Sequence, residues 1–185
     1  MIPDKIKDHF ENKKYAKITR GAGKYTFATA WGYVVDYSTD FILLQETDDF
    51  RILGYLILPI DQIKKIRFNK YDQCYNKIMI WEGEIENVSV RYKIDLTTWA
   101  SIFNSIASYK LNVIVQCENP AIDSFTIGPI VETTKELVYI QNFDPAGVLD
   151  EEPTSINFSS ITKVQFDDRY VNIFSKYLRN RKRKK

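Results

Sequence analysis

The chain carries one pattern twice. Gly32-Tyr-Val-Val-Asp-Tyr-Ser-Thr-Asp-Phe-Ile-Leu-Leu-Gln45 aligns with Gly128-Pro-Ile-Val-Glu-Thr-Thr-Lys-Glu-Leu-Val-Tyr-Ile-Gln141. Glycine, valine and glutamine recur identically, while Asp36/Glu132, Asp40/Glu136, Phe41/Leu137, Ile42/Val138 and Leu44/Ile140 keep their chemistry. A second block follows, in which Ile60-Asp-Gln-Ile63-Lys-Lys-Ile66-Arg-Phe68 matches Phe158-Ser-Ser-Ile161-Thr-Lys-Val164-Gln-Phe166. The second block is offset by two more residues than the first, which places a small insertion in a loop between them. A repeat of this kind constrains architecture more than composition does, because each unit must take the same fold and bury its apolar face against something.

The first repeat reads as strands. Lys24 to Tyr37 alternates Tyr25, Phe27, Thr29 and Trp31, after a strand at Tyr15–Arg20 and a turn at Gly21-Ala-Gly23. Ser38-Thr39-Asp40 is a tight turn into Phe41–Gln45, and Glu46–Asp49 reads as a loop. Ile52–Leu58 is stopped by Pro59, Pro59–Gln62 suggests one tight helical turn, and Ile63–Phe68 closes the unit. The second unit repeats this order with Asn112–Gln116, Ser124–Thr133, Glu136–Asn142, Ser155–Asn157, a turn at Phe158-Ser-Ser160 and Ile161–Phe166. A short helix starts at Pro3, carrying Ile2, Ile6 and Phe10 on one face. A helix from Leu96 to about Lys110, capped by Asp95, aligns Trp99, Ile102, Phe103, Ile106 and Tyr109. Tyr170, Ile173, Phe174 and Tyr177 mark a C-terminal helix. Tyr71–Ile80 suits a helix, although Lys77–Trp81 reads equally as a strand; Val88, Val90, Tyr92 and Ile94 alternate as a strand does.

The fold expected is therefore mainly β with flanking helices. Its organisation is residues 1–94 (helix, first unit, extension), 95–178 (helix, second unit, C-terminal helix) and a basic tail, 179–185. Hydrophobic content of 44%, with 12 tyrosines and 11 phenylalanines, supplies an ordered, strand-rich core.

Strand, tight turn, strand, loop, strand, single helical turn, strand, led by a helix: this run resembles the Sm-like, SH3-type small β-barrel. Residues Val34–Gln45, Tyr55–Ile63 and Ile63–Phe68 carry it, with counterparts Ile130–Gln141, Ser155–Ile161 and Ile161–Phe166. The chain is also similar to a group of bacterial proteins with tandem Sm-like barrels, through Ser124-Phe-Thr-Ile-Gly128 and Asp144-Pro-Ala-Gly147. The resemblance implies two five-stranded barrels, each preceded by a helix. It imports no activity, since one fold hosts many functions. The RNA-binding branch of that family reads bases with a polar turn and a basic, glycine-flanked loop. Ser38-Thr39-Asp40 stands at the turn, but Arg67-Phe-Asn-Lys70 stands where the basic loop belongs.

Catalytic chemistry has little to build on. His9 is the single histidine, and neither Cys74 nor Cys117 has a histidine nearby in sequence. No metal or cofactor is implied: a lone histidine makes no zinc site, and Asp144 with Asp150-Glu-Glu152 lacks the spacing of a calcium loop. His9 is expected on the helix surface or half-buried, and the two cysteines as free thiols. The repeated carboxylates Asp36/Glu132 and Asp40/Glu136 are expected to cap turns. Of the charges, six lie in Arg179, Arg181, Lys182, Arg183, Lys184 and Lys185, and the chain's +2 becomes −4 when they are set aside. These six are the candidate contacts to nucleic acid or another anionic surface.

No apolar run reaches the length of about 20 residues that a membrane helix needs. The first ten residues lack an apolar signal core, so a cytoplasmic location is expected. The expected function is non-catalytic binding or assembly, through barrel edges or the surface between the units, by an unidentified protein partner or self-association. The alternative is RNA binding by the barrels assisted by the tail.

Overall fold

The computed structural model describes residues 1–21 and 29–181. Helix α1 (Ile2–Glu11) precedes β1 (Tyr15–Arg20), β2 (Thr29–Tyr37), β3 (Phe41–Asp48) and β4 (Arg51–Pro59). A 3₁₀ turn at Ile60–Gln62 leads into β5 (Ile63–Arg67). Helix α2 (Lys70–Trp81), a 3₁₀ turn at Glu84–Asn87 and helix α3 (Trp99–Ser108) connect to the second half. That half contains β6 (Asn112–Cys117), β7 (Ser124–Thr133), β8 (Leu137–Ile140) and β9 (Thr154–Asn157). A 3₁₀ turn at Phe158–Ser160, β10 (Lys163–Phe166) and helix α4 (Arg169–Phe174) follow.

Hydrogen bonding orders the strands β5-β1-β2-β3-β4-β10-β6-β7-β8-β9, and every neighbouring pair is antiparallel. Each half runs fifth, first, second, third, fourth, so the sequence repeat is a repeat of topology. Where two five-stranded barrels are expected, the described strands form one ten-stranded antiparallel sheet. The reason lies at β4. Its outer edge is taken by β10 of the other half, in the register Val164↔Ile57, Gln165↔Leu56 and Phe166↔Tyr55. An unpaired strand edge is a row of unsatisfied amides and carbonyls, and the two halves satisfy each other's.

The residues that recur identically have matching local causes. Gly32 and Gly128 adopt φ of +156° and +154°, and a Cβ at either would collide with a backbone carbonyl: that of Gln45 in the first half, that of Gln141 in the second. Only glycine lets the neighbouring strand come so close. The two glutamines use their amides alike, each tying down an irregular segment: Gln45 Oε1 accepts from the Ser89 amide at 3.0 Å, and Gln141 Nε2 donates to the Asp150 carbonyl. The β2–β3 and β7–β8 turns are capped by hydroxyls rather than by the repeated carboxylates. Ser38 Oγ accepts from the amides of Asp40 and Phe41, at 3.2 and 3.1 Å; Thr134 Oγ1 accepts from those of Glu136 and Leu137, at 3.3 and 3.0 Å. A short hydroxyl reaches amides two and three residues on, the ST-turn geometry. Asp36 instead accepts from the adjacent Tyr37 amide.

Several boundaries move. Residues 46–48 extend β3 rather than forming a loop, because a bulge between Gln45 and Thr47 restores pairing with β4. Residues 70–81 are helical throughout: Asn69 accepts from the Tyr71 and Asp72 amides, and Asp72 reaches back to the Asn69 amide, a reciprocal cap. Helix α3 starts at Trp99, capped by Thr98, while Asp95 binds the Thr97 amide one turn earlier. The alternating segment 88–94 is not a strand. Side chains satisfy its backbone: Gln45 binds the Ser89 amide, Tyr55 Oη binds the Ser89 carbonyl and the Arg91 amide, and Tyr109 Oη binds the Lys93 amide. Val88 and Ile94 are buried at the two ends of this strap over the sheet, while Val90 between them is exposed, so the alternation does not mark one buried face. The Gly21-Ala-Gly23 turn and the first half of the Lys24–Tyr37 strand fall largely outside the described residues.

The main core draws on both halves. Ile102, Phe103 and Ile106 of α3 are fully buried, together with Tyr33, Ile57, Val113, Val138 and Phe166. Trp99 meets Phe41 edge-on at 4.7 Å, and Phe103 stacks on Phe158 at 5.9 Å, so α3 is packed between the halves. Tyr109, at the end of its stripe, is 42% exposed. Both cysteines are free; Cys117 is buried and Cys74 exposed. Phe103→Ala should cost about 3–5 kcal/mol, the usual loss for a fully buried phenylalanine. Urea unfolding of the two proteins measures it directly, and a loss below about 1 kcal/mol would contradict this packing.

Candidate functional site

The β4–β10 pairing sets a group of charges into the boundary between the halves. Arg20, at the end of β1, is 1% exposed. Its guanidinium forks onto Glu118, just past β6, with Nη1–Oε2 2.7 Å and Nη2–Oε1 2.8 Å. The Thr162 hydroxyl lies 2.8 Å from Glu118 Oε2, and Lys163 Nζ lies 3.8 Å from Oε1. Nearby in register, Gln165 of β10 donates to Glu46 of β3 at 2.7 Å, and Gln62 donates to the Ile161 carbonyl at 3.3 Å. Side-chain links therefore cross from one repeat to the other beside the backbone ladder.

The protonation balance follows from burial and partners. Burial alone would raise the Glu118 carboxyl; the Arg20 fork, the Thr162 hydroxyl and Lys163 outweigh it and hold it below its ordinary value. Burial raises the Glu46 carboxyl, with the Gln165 amide only partly offsetting it, and burial lowers the Lys163 ammonium against the pull of Glu118. The two carboxyls therefore act oppositely with pH. Glu118, depressed in the fold, contributes stability above its unfolded value of 4.5 that is lost as pH falls through the folded value; Glu46, raised, favours the fold as pH falls.

The free ends of the sheet are β5 and β9. Among the described residues neither has a partner on its outer side. Strand β5 exposes Lys64 and Lys65. Strand β9 has four residues and follows Pro153, with Glu151 and Glu152 exposed just before it. By the repeat, β5 corresponds to β10 and β9 to β4. The two ends are thus the same pair of edges that meet at the centre, one with basic and one with acidic flanks.

The expected site residues are placed as follows. Arg179 is docked: its amide donates to the Gly147 carbonyl and its carbonyl accepts from Leu149, each at 2.9 Å. Arg181 Nη2 lies 3.6 Å from Asp150 Oδ1. The start of the tail is therefore tied to the acidic loop, a contact that charge counting does not reveal; Lys182, Arg183, Lys184 and Lys185 lie outside the described residues. The loop carboxylates serve the backbone: Asp144 Oδ1 accepts from Ala146 and Val148, and Asp150 Oδ2 accepts from Asn142. His9 is 3% exposed, not a surface residue. Its Nδ1–H donates to the Lys14 carbonyl at 3.1 Å, and its ring meets Phe68 edge-on. A groove of about 540 Å³ lies between the 3₁₀ turns at Ile60–Gln62 and Phe158–Ser160, lined by Asp40, Asp61, Trp99, Phe158 and Ser159. The Ser159 hydroxyl in it is bound to Asn157, and no histidine lines it.

No protein-family model matches this chain, and no curated protein or solved structure matches it either.

Glu118→Gln removes the carboxylate onto which the buried Arg20 forks and should cost about 3 kcal/mol at neutral pH. The variant should also lose the part of the acid-side stability slope that Glu118 supplies. Thermal unfolding of both proteins between pH 4 and neutrality reads both effects; parallel profiles would show that the fork is not a stabilising contact.

Proposed function

We propose that this protein is a non-catalytic assembly module, built from two Sm-like halves, that joins copies of itself through the edges of its sheet. The supporting observation is the β4–β10 joint inside the chain. The free strands β5 and β9 are the repeats of β10 and β4, so a second copy brings a matching edge to each end. Carrying the central register across the repeat sets Ile66 opposite Ser155 and Arg67 opposite Thr154 of a neighbour. In that register Lys70, just past β5, falls opposite Glu151, just before β9, and both are exposed. The two edges differ, so the contact is head to tail, and it closes into a ring or runs on as a filament according to the rotation per copy. Pairing of exposed strands supplies the affinity, and the flanking charges select the partner edge.

Sedimentation velocity of the full chain should show mass rising with concentration, in steps of one chain. Lys70→Glu should weaken the association, and mixing with a Glu151→Lys chain should restore it as mixed oligomers. A protein that stays monomeric up to high micromolar concentration contradicts the proposal.

A further inference from the structure

The β3–β4 turn, the 88–94 strap and α4 wall a groove of about 560 Å³. Among the described residues, four cationic side chains line it, Arg51, Arg91, Arg169 and Lys176, against one carboxylate, Asp167. That carboxylate is already engaged. Its Oδ2 lies 3.0 Å from Arg91 Nη1, and its Oδ1 accepts from Asn172 Nδ2 at 2.8 Å. The Arg91 guanidinium also lies over the Tyr55 ring, 5.7 Å from its centre, which fixes one cation on the wall. The other three, Arg51, Arg169 and Lys176, are exposed, and none has a carboxylate within ion-pair distance among the described residues. Asp48 faces Arg51 in the hairpin register without pairing with it, and Asp168 is spent on the Tyr170 amide.

This concentration of positive charge stands out because residues 1–178 sum to −4. Like charges gathered round a concave space repel one another, and a bound anion relieves that repulsion. The walls are held close by construction: a Cβ on Gly54 would lie 2.6 Å from the Asp167 carbonyl oxygen. Apolar surface adjoins the cations, from Ile52 and the 42%-exposed Ile173.

We propose that this groove binds a phosphate ester of nucleotide size, its phosphate among Arg51, Arg169 and Lys176 and its organic part over Ile52 and Ile173. Guanidinium groups present paired donors that match phosphate oxygens, and a volume of this order suits a small organic ligand. A free nucleotide and a nucleotide within a single strand present the same chemistry. Arg181 lies away from this groove, facing Asp150. It uses no residue of β5 or β9, so it stands independently of edge assembly.

The test is fluorescence anisotropy of the full chain with two probes, fluorescein-labelled ATP and a labelled single-stranded oligouridylate, with inorganic pyrophosphate as competitor. Arg169→Glu with Lys176→Glu should weaken binding by about tenfold or more at low salt, with an unchanged circular dichroism spectrum. Replacing Arg183, Lys184 and Lys185 by alanine in the full chain should change it by less than about threefold. Binding of labelled ATP identifies a free nucleotide as sufficient, and binding of the oligouridylate alone identifies the strand as the source. The proposal is overturned if neither probe binds, or if the tail variant loses binding and the groove variant keeps it.

Discussion

The antiparallel pairing of β4 with β10 is the contact on which the rest of this structure depends. It converts two five-strand repeats into one sheet, and it decides which strands are left at the ends. It also creates the boundary into which Arg20, Glu118 and Thr162 are driven. A nearly inaccessible arginine is tolerable only with a forked carboxylate partner, because an unpaired charge there costs several kcal/mol. The helix α3 completes the same boundary from the apolar side, with Trp99 on Phe41 of one half and Phe103 on Phe158 of the other. Polar and apolar contacts thus reinforce one backbone ladder.

The repeat is conservative where backbone meets backbone and loose elsewhere. Gly32 and Gly128 are glycine because a carbonyl occupies the space of a side chain. Gln45 and Gln141 are glutamine because each ties an irregular segment to the sheet, yet the segments are unrelated: the 88–94 strap in one case and the Asp144–Asp150 loop in the other. Extra elements therefore hang on an unchanged frame. The strap and α4 then meet beside β4, and the cationic groove lies among them.

Much of this frame is legible in the sequence because local physics writes it there. Strands Tyr15–Arg20 and Ser124–Thr133 keep the bounds that the sequence sets, and Pro59 leads into the 3₁₀ turn at Ile60–Gln62. The 88–94 stretch misleads because apolar spacing is only part of a strand's signal and a strand also needs a neighbouring backbone; here Val90 is exposed, and tyrosine hydroxyls and a glutamine side chain supply the partners. The candidate contacts were legible only in part. Net charge points to the tail, but Arg179 and Arg181 are engaged by the 147–150 loop. Arg20 and Glu118, and the four cations of the groove, are far apart in sequence and gather only through the fold. Their one advance signal was the pairing of the two repeats, which by itself does not say which edges meet.

Native-state hydrogen exchange along β4 and β10 tests the central claim most directly. If this ladder joins the halves, every second amide within Tyr55–Ile57 and Val164–Phe166, the ones that point across it, should be among the slowest in the chain, opening only with global unfolding. Exchange of those amides by a lower-energy opening, while the β2–β3 and β6–β7 amides stay protected, would show two units that merely touch, and would contradict the account.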